Sequence, residues 1–429
     1  MFRKFTREEK GWIMYDWANS AFAAIILAIV LPPFYKEIAQ GVPNAGPWWG
    51  YATSIASLIG ALSAPILGTL GDYKGYKMRL FTVFVLLGAA ATALLAFTGN
   101  WQTMLVLYIL GSIGFNASNV FYDGFLPDVT TEDRMDMVSS YGFGMGYIGG
   151  STIPLLIALA LIALALIMFG EKIGIPSDTA CQISFFITAV WWIVFTIPMW
   201  RSVKQRHYVQ QRGSLVKQSI FRLTNVARRI LTNKAVLLFL LSYFFYIDGV
   251  GTIIHMASIF GSSMGLGQTE LIIILLVVQL VACPCAIFYG LLSRKWSVRA
   301  MLLTGILTYM VICVVAMFLE PLRVLGKTPL LMGFMVLAVL VGTAQGGIQA
   351  LSRSFYGKLV PPESANEFFG FYDIFGKFSA VLGPFLFGLV WDATQKSYLG
   401  VIPVLLMFII GGGLFLLVPK NIEKLTSSR

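Results

Sequence analysis

Residues 48–98 read WWGYATSIASLIGALSAPILGTLGDYKGYKMRLFTVFVLLGAAATALLAFT, two apolar runs at 48–71 and 79–98 whose only charges, Asp72, Lys74, Lys77 and Arg79, fall where the runs meet. A run of about 20 apolar residues is what an α-helix needs to cross roughly 30 Å of hydrocarbon. A bilayer admits only helices and closed barrels, because every backbone polar group must be paired internally, and neither run alternates as a barrel strand does. The stretch therefore reads as two membrane helices joined by a short polar turn. The pattern recurs along all 429 residues: 57% are hydrophobic and 12% charged, with a mean hydropathy of +0.79, which does not describe a soluble protein.

Spans are predicted at 11–37, 48–71, 79–98, 101–122, 136–169, 180–200, 234–262, 268–292, 298–319, 328–354, 365–390 and 397–419. An even number puts both termini on one side. Segments on that side carry 25 Lys and Arg and those on the other carry 5, so both termini are expected in the cytoplasm. The first run follows Arg3, Lys4, Arg7 and Lys10 and is long enough to span, so it is expected to stay as a helix and not to be cleaved. The expected fold is an all-α membrane protein of twelve transmembrane helices in two six-helix bundles, 1–200 and 234–429, joined by a basic linker at 201–233. In that linker Val216, Ile220, Leu223, Ala227 and Ile230 fall at helical spacing, with Lys217, Arg222, Arg228 and Arg229 elsewhere on the wheel. This reads either as a surface amphipathic helix with a regulatory role or as a tether.

The net charge of +11 lies in short segments between apolar runs and forms no stripe that would suit nucleic acid. Gly326, Lys327 and Thr328 resemble the tail of a phosphate-binding loop, but Pro321 stands where its first glycine should be. Neither ATP-driven transport nor hydrolytic catalysis has a motif to rest on. Cys181, Cys283, Cys285 and Cys313 have neither disulfide-framework nor zinc spacing, so no metal and no cofactor is expected. Trp12, Trp17, Trp48, Trp49, Trp101, Trp200 and Trp391 lie near span ends and read as interfacial anchors. Gly142, Gly146 and Gly150 share one helix face, for close packing or for a flexing gate.

Polar residues inside spans carry the chemistry, since an ionisable group there costs about 2.5 to 3.5 kcal/mol and commonly faces a cavity or a partner. Asp16 and Asn19 lie in the first span. Asp248, about fourteen residues or roughly 20 Å into the seventh, lies near mid-bilayer. His255 follows at i+7, and the two read either as proton carriers or as structural anchors. In the eleventh span Asp373 and Lys377 are four apart, so Lys377 either holds a substrate carboxylate or closes an internal ion pair. Gln345, Gln349 and Arg353 form one polar stripe; Asn116, Asn119 and Asp123 form another, with Arg353 and Asp123 near span ends as gate candidates.

Gly68, Leu70, Gly71, Asp72, Lys74, Gly75 and Lys77 resemble the major facilitator signature, in which the acid acts as a latch on one conformation. Three further segments sharpen the resemblance: Tyr15-Asp16-Trp17-Ala18-Asn19-Ser20-Ala21-Phe22; Asp248-Gly249-Val250 with Thr252-Ile253-Ile254; and Gln345-Gly346-Gly347 through Gln349 and Arg353 to Glu367-Phe368-Phe369-Gly370-Phe371-Tyr372-Asp373. Together they resemble the vacuolar-effluxer branch of the major facilitator superfamily, comprising the autophagy-related amino-acid effluxer of fungal vacuoles and its bacterial relatives. The resemblance implies a secondary transporter working by alternating access, monomeric, in a plasma membrane such as the bacterial inner membrane. It would export or exchange a small polar solute such as an amino acid, with protons as a possible coupling ion. The alternatives are efflux of amphipathic drugs or lipids, and a non-transporting membrane receptor or scaffold.

Overall fold

The computed structural model describes residues 4–43, 45–154, 156–157, 160, 177–210 and 215–419, and these are helical almost throughout. The helices are α1 (Arg7–Phe22), α2 (Leu31–Ile38), α3 (Ala45–Gly71), α4 (Tyr76–Leu95), α5 (Trp101–Gly124), α6 (Leu126–Val129), α7 (Met135–Met145) and α8 (Ser177–Ser202). They continue as α9 (Leu215–Thr232), α10 (Lys234–Met264), α11 (Gln268–Trp296), α12 (Val298–Met317), α13 (Leu319–Leu325), α14 (Lys327–Leu359), α15 (Ala365–Thr394) and α16 (Val401–Leu417). Among the described residues eleven helical segments are long and apolar enough to cross a membrane. The fifth span, expected at 136–169, lies partly outside the described residues.

Local chemistry explains where helices start and break. Thr6 caps α1 through a reciprocal pair, its hydroxyl accepting from the Glu9 amide while its own amide donates to Glu9 Oε2 at 2.8 Å. The first span, expected unbroken to 37, instead passes through a π-helical turn at Ala23–Ile29 and restarts at Leu31 with prolines in its first turn. Pro32 and Pro33 lack the amides that would continue the earlier ladder, so a new helix begins there. Gly75, in the left-handed region at φ +80°, turns the chain into α4.

The chain forms two compact units. The first comprises 1–130, 145–220 and 362–370; the second comprises 131–144, 221–361 and 371–429. Relative to bundles divided at 201–233, each unit thus takes one segment from the other half, and α15 begins in the first unit and continues in the second. Within the first unit α1 packs on α8, α3 and α4 both pack on α5, and α4 packs on α8. Within the second, α10 packs on α16, α11 and α12 both pack on α14, and α12 packs on α16. Numbered as spans, the pairs 1–6, 2–4, 3–4 and 3–6 recur as 7–12, 8–10, 9–10 and 9–12, so the halves repeat one plan in the same order. Leu58, Leu62 and Ile66, one turn apart on α3, are each more than half exposed. Such a stripe would be an aggregation hazard in water and is suited to lipid.

Within the basic linker predicted at 201–233, Leu215–Thr232 is helical; Val226 and Ile230 are buried while Phe221, Arg228 and Leu231 face outward. Trp12 is not an interfacial anchor. It is fully buried, stacks on Tyr122 at 4.3 Å and donates its indole N–H to the Tyr122 carbonyl. Gly146 and Gly150 lie directly against the Asp16–Ser20 stretch of α1, which is the packing role of small residues.

Candidate functional site

The polar residues gather in two places in the first unit and two in the second. In the first unit the turn between α3 and α4 is built around Asp72, which is wholly buried. Its carboxylate oxygens accept from the backbone amides of Asn366 and Glu367, each at 3.0 Å, at the start of α15. Helix N-termini present unpaired amides and a positive dipole end, so a carboxylate there makes two charge-assisted bonds. Glycines let the segments approach: a side chain at Gly68 would strike the Asn366 carbonyl, and one at Gly124 would overlap Asn366 Oδ1.

Lys77, read from sequence as a loop cation beside Asp72, sits instead in the first turn of α4 and is wholly buried. Its ammonium donates to Asp128 Oδ2 at 2.8 Å and to the Gly124 carbonyl at 3.0 Å. Asp128 Oδ1 accepts the amides of Arg206 and His207 at 3.0 and 2.7 Å and lies 3.0 Å from His207 Nδ1. Burial pushes the Asp128 carboxyl up, but Lys77 and His207 outweigh it and hold it below the usual carboxylate range. The segment that follows α8 is strapped to the same turn. Gln205 accepts from the Gly75 amide and donates to the Gly71 and Tyr73 carbonyls, while Val209 bridges to Tyr73. Lys74 lies over the Tyr208 ring.

Asp72→Asn removes the charge that faces the α15 amides, and such a contact contributes about 1 to 2 kcal/mol. The amides of Asn366 and Glu367 should then exchange with deuterium roughly 5 to 30 times faster than in the wild type. Unchanged exchange would show that the carboxylate does not hold them.

Deeper in the first unit Asn19 donates to Asn119 Oδ1 at 2.6 Å and Tyr15 to Ser118 at 2.8 Å, joining α1 to α5. Asp16 is 8% exposed. Asn116, Asn119 and Asp123 are half-buried along α5.

In the second unit Asp248 is wholly buried in α10, and both of its carboxylate oxygens lie 3.0 Å from the Gly383 amide. Thr252 donates to the Asp248 carbonyl at 2.7 Å. Gly383 precedes Pro384 inside α15, and a side chain there would overlap Thr252 Oγ1 and Asp248 Oδ1. Among the described residues no cation pairs with Asp248. His255, seven residues on, is exposed and makes no bond to it. Lys377 is closed on Asp373 at 2.5 Å, both half-buried. Gln345 is buried and Gln349 half-buried on α14. Arg353 donates to Ser139 Oγ at 2.9 Å and to the Ser139 carbonyl at 3.1 Å, and stacks over Phe143. Lys358 pairs with Asp136 at 2.6 Å.

Sequence reading missed Asp128, Gln205, His207, Asp136 and Ser139. Asp128 follows Leu126-Pro127 in what reads as a loop, and its partner is 51 positions away. The available signal was the acidic run between the fourth and fifth spans, where Asp128, Glu132, Asp133 and Asp136 stand against Arg134 alone while the other segments on that side are basic.

The model of the family described as "Vacuole effluxer Atg22 like" matches residues 48–426. The chain is 47% identical over 427 residues to YxiO of Bacillus subtilis (strain 168), described as an uncharacterized MFS-type transporter, covering 98% of this chain and 97% of that one. It is 24% identical to autophagy-related protein 22 of Coccidioides immitis (strain RS), covering 90% of this chain and 82% of the relative. Among solved structures, the outward conformation of the major facilitator transporter FucP superposes with a TM-score of 0.70 at 13% identity, covering 98% and 99% of the two chains. A bacterial homologue of the iron transporter ferroportin superposes with a TM-score of 0.67 at 14% identity, covering 97% and 99%. With helices of the two units that repeat one packing plan, the turn motif on Asp72 and a family match over most of its length, this chain belongs to the vacuole effluxer Atg22-like family and is a multi-pass secondary transporter of the major facilitator type.

Proposed function

We propose that this transporter exports or exchanges a small polar solute, amino acids being the favoured class, across a bacterial plasma membrane, with protons as the coupling ion. The buried Asp248 carries this reading. A carboxyl in the middle of a span is costly, and this one accepts from a backbone amide with no cation beside it among the described residues, which suits a group that takes up and gives back a proton as its helix partners shift. Gly383 sits beside Pro384, which lacks the amide that would continue the helix ladder, so the carboxyl's donor lies at a point where α15 can bend. Lys377 is half-buried in its pair with Asp373, and a substrate carboxylate that reached it would exchange one carboxylate partner for another. The Atg22 family description names an effluxer, which favours the outward direction. Asp72 on the α15 amides is the proposed latch, with Lys77 and Asp128 as its fixed base and Arg353 with Ser139 as the corresponding clasp in the second unit.

Solid-supported-membrane current from purified protein in liposomes, screened against pooled amino acids with and without a pH gradient, tests the reading. A saturable current for one pool, lost or made pH-insensitive in Asp248→Asn, is expected. A current that Asp248→Asn leaves with its full pH dependence would remove Asp248 from the coupling.

A further inference from the structure

We infer that Asn366 is a release device for the Asp72 latch: its carboxamide is buried without partners while the start of α15 sits on the α3–α4 turn, and this limits how long the latch stays shut. The inference rests on the reading of Asp72 as a latch given above. Asn366 has no exposed surface, and neither Oδ1 nor Nδ2 has a hydrogen-bond partner among the described residues. The slot that holds the carboxamide is made of bare backbone. Gly71 ends α3 and Gly124 ends α5. A side chain at Gly71 would come within 2.8 Å of Asn366 Nδ2, and one at Gly124 would overlap Asn366 Oδ1. The carbonyls of both glycines serve other donors, Gln205 at Gly71 and Lys77 at Gly124. All of these residues belong to the first unit.

Two opposed effects therefore meet at one residue. The backbone amide of Asn366 donates to the Asp72 carboxylate, a charge-assisted bond that favours the seated helix. The side chain of the same residue gives up the bonds that water would supply, two donated and two accepted. Leaving such a group unpaired in the interior costs about as much as a charge-assisted bond contributes. The first effect fixes where α15 seats, and the second keeps that seat shallow. Any parting of α15 from the turn returns the carboxamide to water. If the contact served packing alone, an apolar residue of the same shape would hold it better, which makes the carboxamide the feature that needs a function.

Hydrogen exchange of the full chain in lipid nanodiscs, read as protection factors at amides 366 and 367, is compared for wild type, Asn366→Leu and Asp72→Asn. Leucine has the branching of asparagine and nearly its size but carries no polar atom. Asn366→Leu should therefore raise protection at both amides by about 5- to 100-fold, the range of one unpaired buried polar group, whereas most substitutions of a buried residue lower it. Amides in the middle of α8 should keep their wild-type protection, which separates a tighter latch from a general gain in stability. Should Asn366→Leu fail to fold, Asn366→Ala removes the same two atoms and fits wherever the carboxamide fits; it is read in the same way, with a gain of at least about twofold expected. Unchanged or lower protection in Asn366→Leu, while Asp72→Asn still lowers it, would leave the latch standing and overturn the release role. A gain spread equally over α8 would overturn it too. Asp72→Asn without effect at these amides would overturn the latch reading and this inference with it.

Discussion

Lys77→Met is expected to cost more stability than any other single substitution in the first unit, about 3 to 5 kcal/mol, because it strands the buried Asp128 charge. Both side chains have no exposed surface, and the ammonium lies 2.8 Å from the carboxylate. What remains around Asp128 is the His207 ring and two linker amides, too little to replace a full positive charge. Thermal unfolding followed by tryptophan fluorescence checks this, and Lys77→Met combined with Asp128→Leu should recover most of the loss, since an apolar pair carries no unpaired charge. The same pair sets a pH dependence. A carboxyl held below its unfolded value, near 3.9, stabilises the fold above that pH and loses the contribution as pH falls through the lower folded value. Unfolding midpoints of wild type should therefore drop on acidification, and Asp128→Asn should flatten that limb. Parallel profiles would mean that the pair is not held charged.

Gly383→Ala is expected to be the most damaging single-methyl addition in the second unit. The added carbon would overlap Thr252 Oγ1 and Asp248 Oδ1, and overpacking of this kind costs about 1 to 3 kcal/mol. Either α15 moves away, which lengthens the bond from the Gly383 amide to Asp248, or the carboxyl turns and loses its donor. Both routes should reduce transport by about tenfold or more, while size-exclusion chromatography still shows a folded protein. Thr252→Ala removes the closest colliding atom, so adding it to Gly383→Ala should restore part of the lost stability, a coupling that a double-mutant cycle reads directly. Additive losses in the two single variants would show that the two residues are not in contact.

Hydropathy carried most of the architecture, because lipid leaves the chain so few options. The eleven spans found among the described residues and the helix in the basic linker are visible as composition and period. The break after the first span was written in Leu31-Pro32-Pro33 and is legible in retrospect: two prolines in succession suit the first turn of a helix and no later one. Spacing four apart was enough for Asp373 and Lys377, since an ion pair on one helix is a local matter. The partners of Asp72 were not legible, because they are backbone amides 294 and 295 positions away, and amides have no signature in sequence. Lys77 shows the same limit from the other side. Its place in a basic turn pointed outward, and only the packed geometry turns it inward to Asp128. Asp248 stood out by depth alone, whereas its donor is an amide supplied by Gly383, whose meaning in the sequence was no more than a small residue beside a proline.

The most direct test of the central claim is radiolabelled counterflow of pooled amino acids in proteoliposomes, for wild type and Asp248→Asn at pH 6 and pH 8. Alternating-access exchange of an amino acid predicts saturable counterflow for at least one pool in wild type, with a pH dependence that Asp248→Asn abolishes. Absence of counterflow for every pool, from protein that remains folded, would contradict amino acids as the transported class.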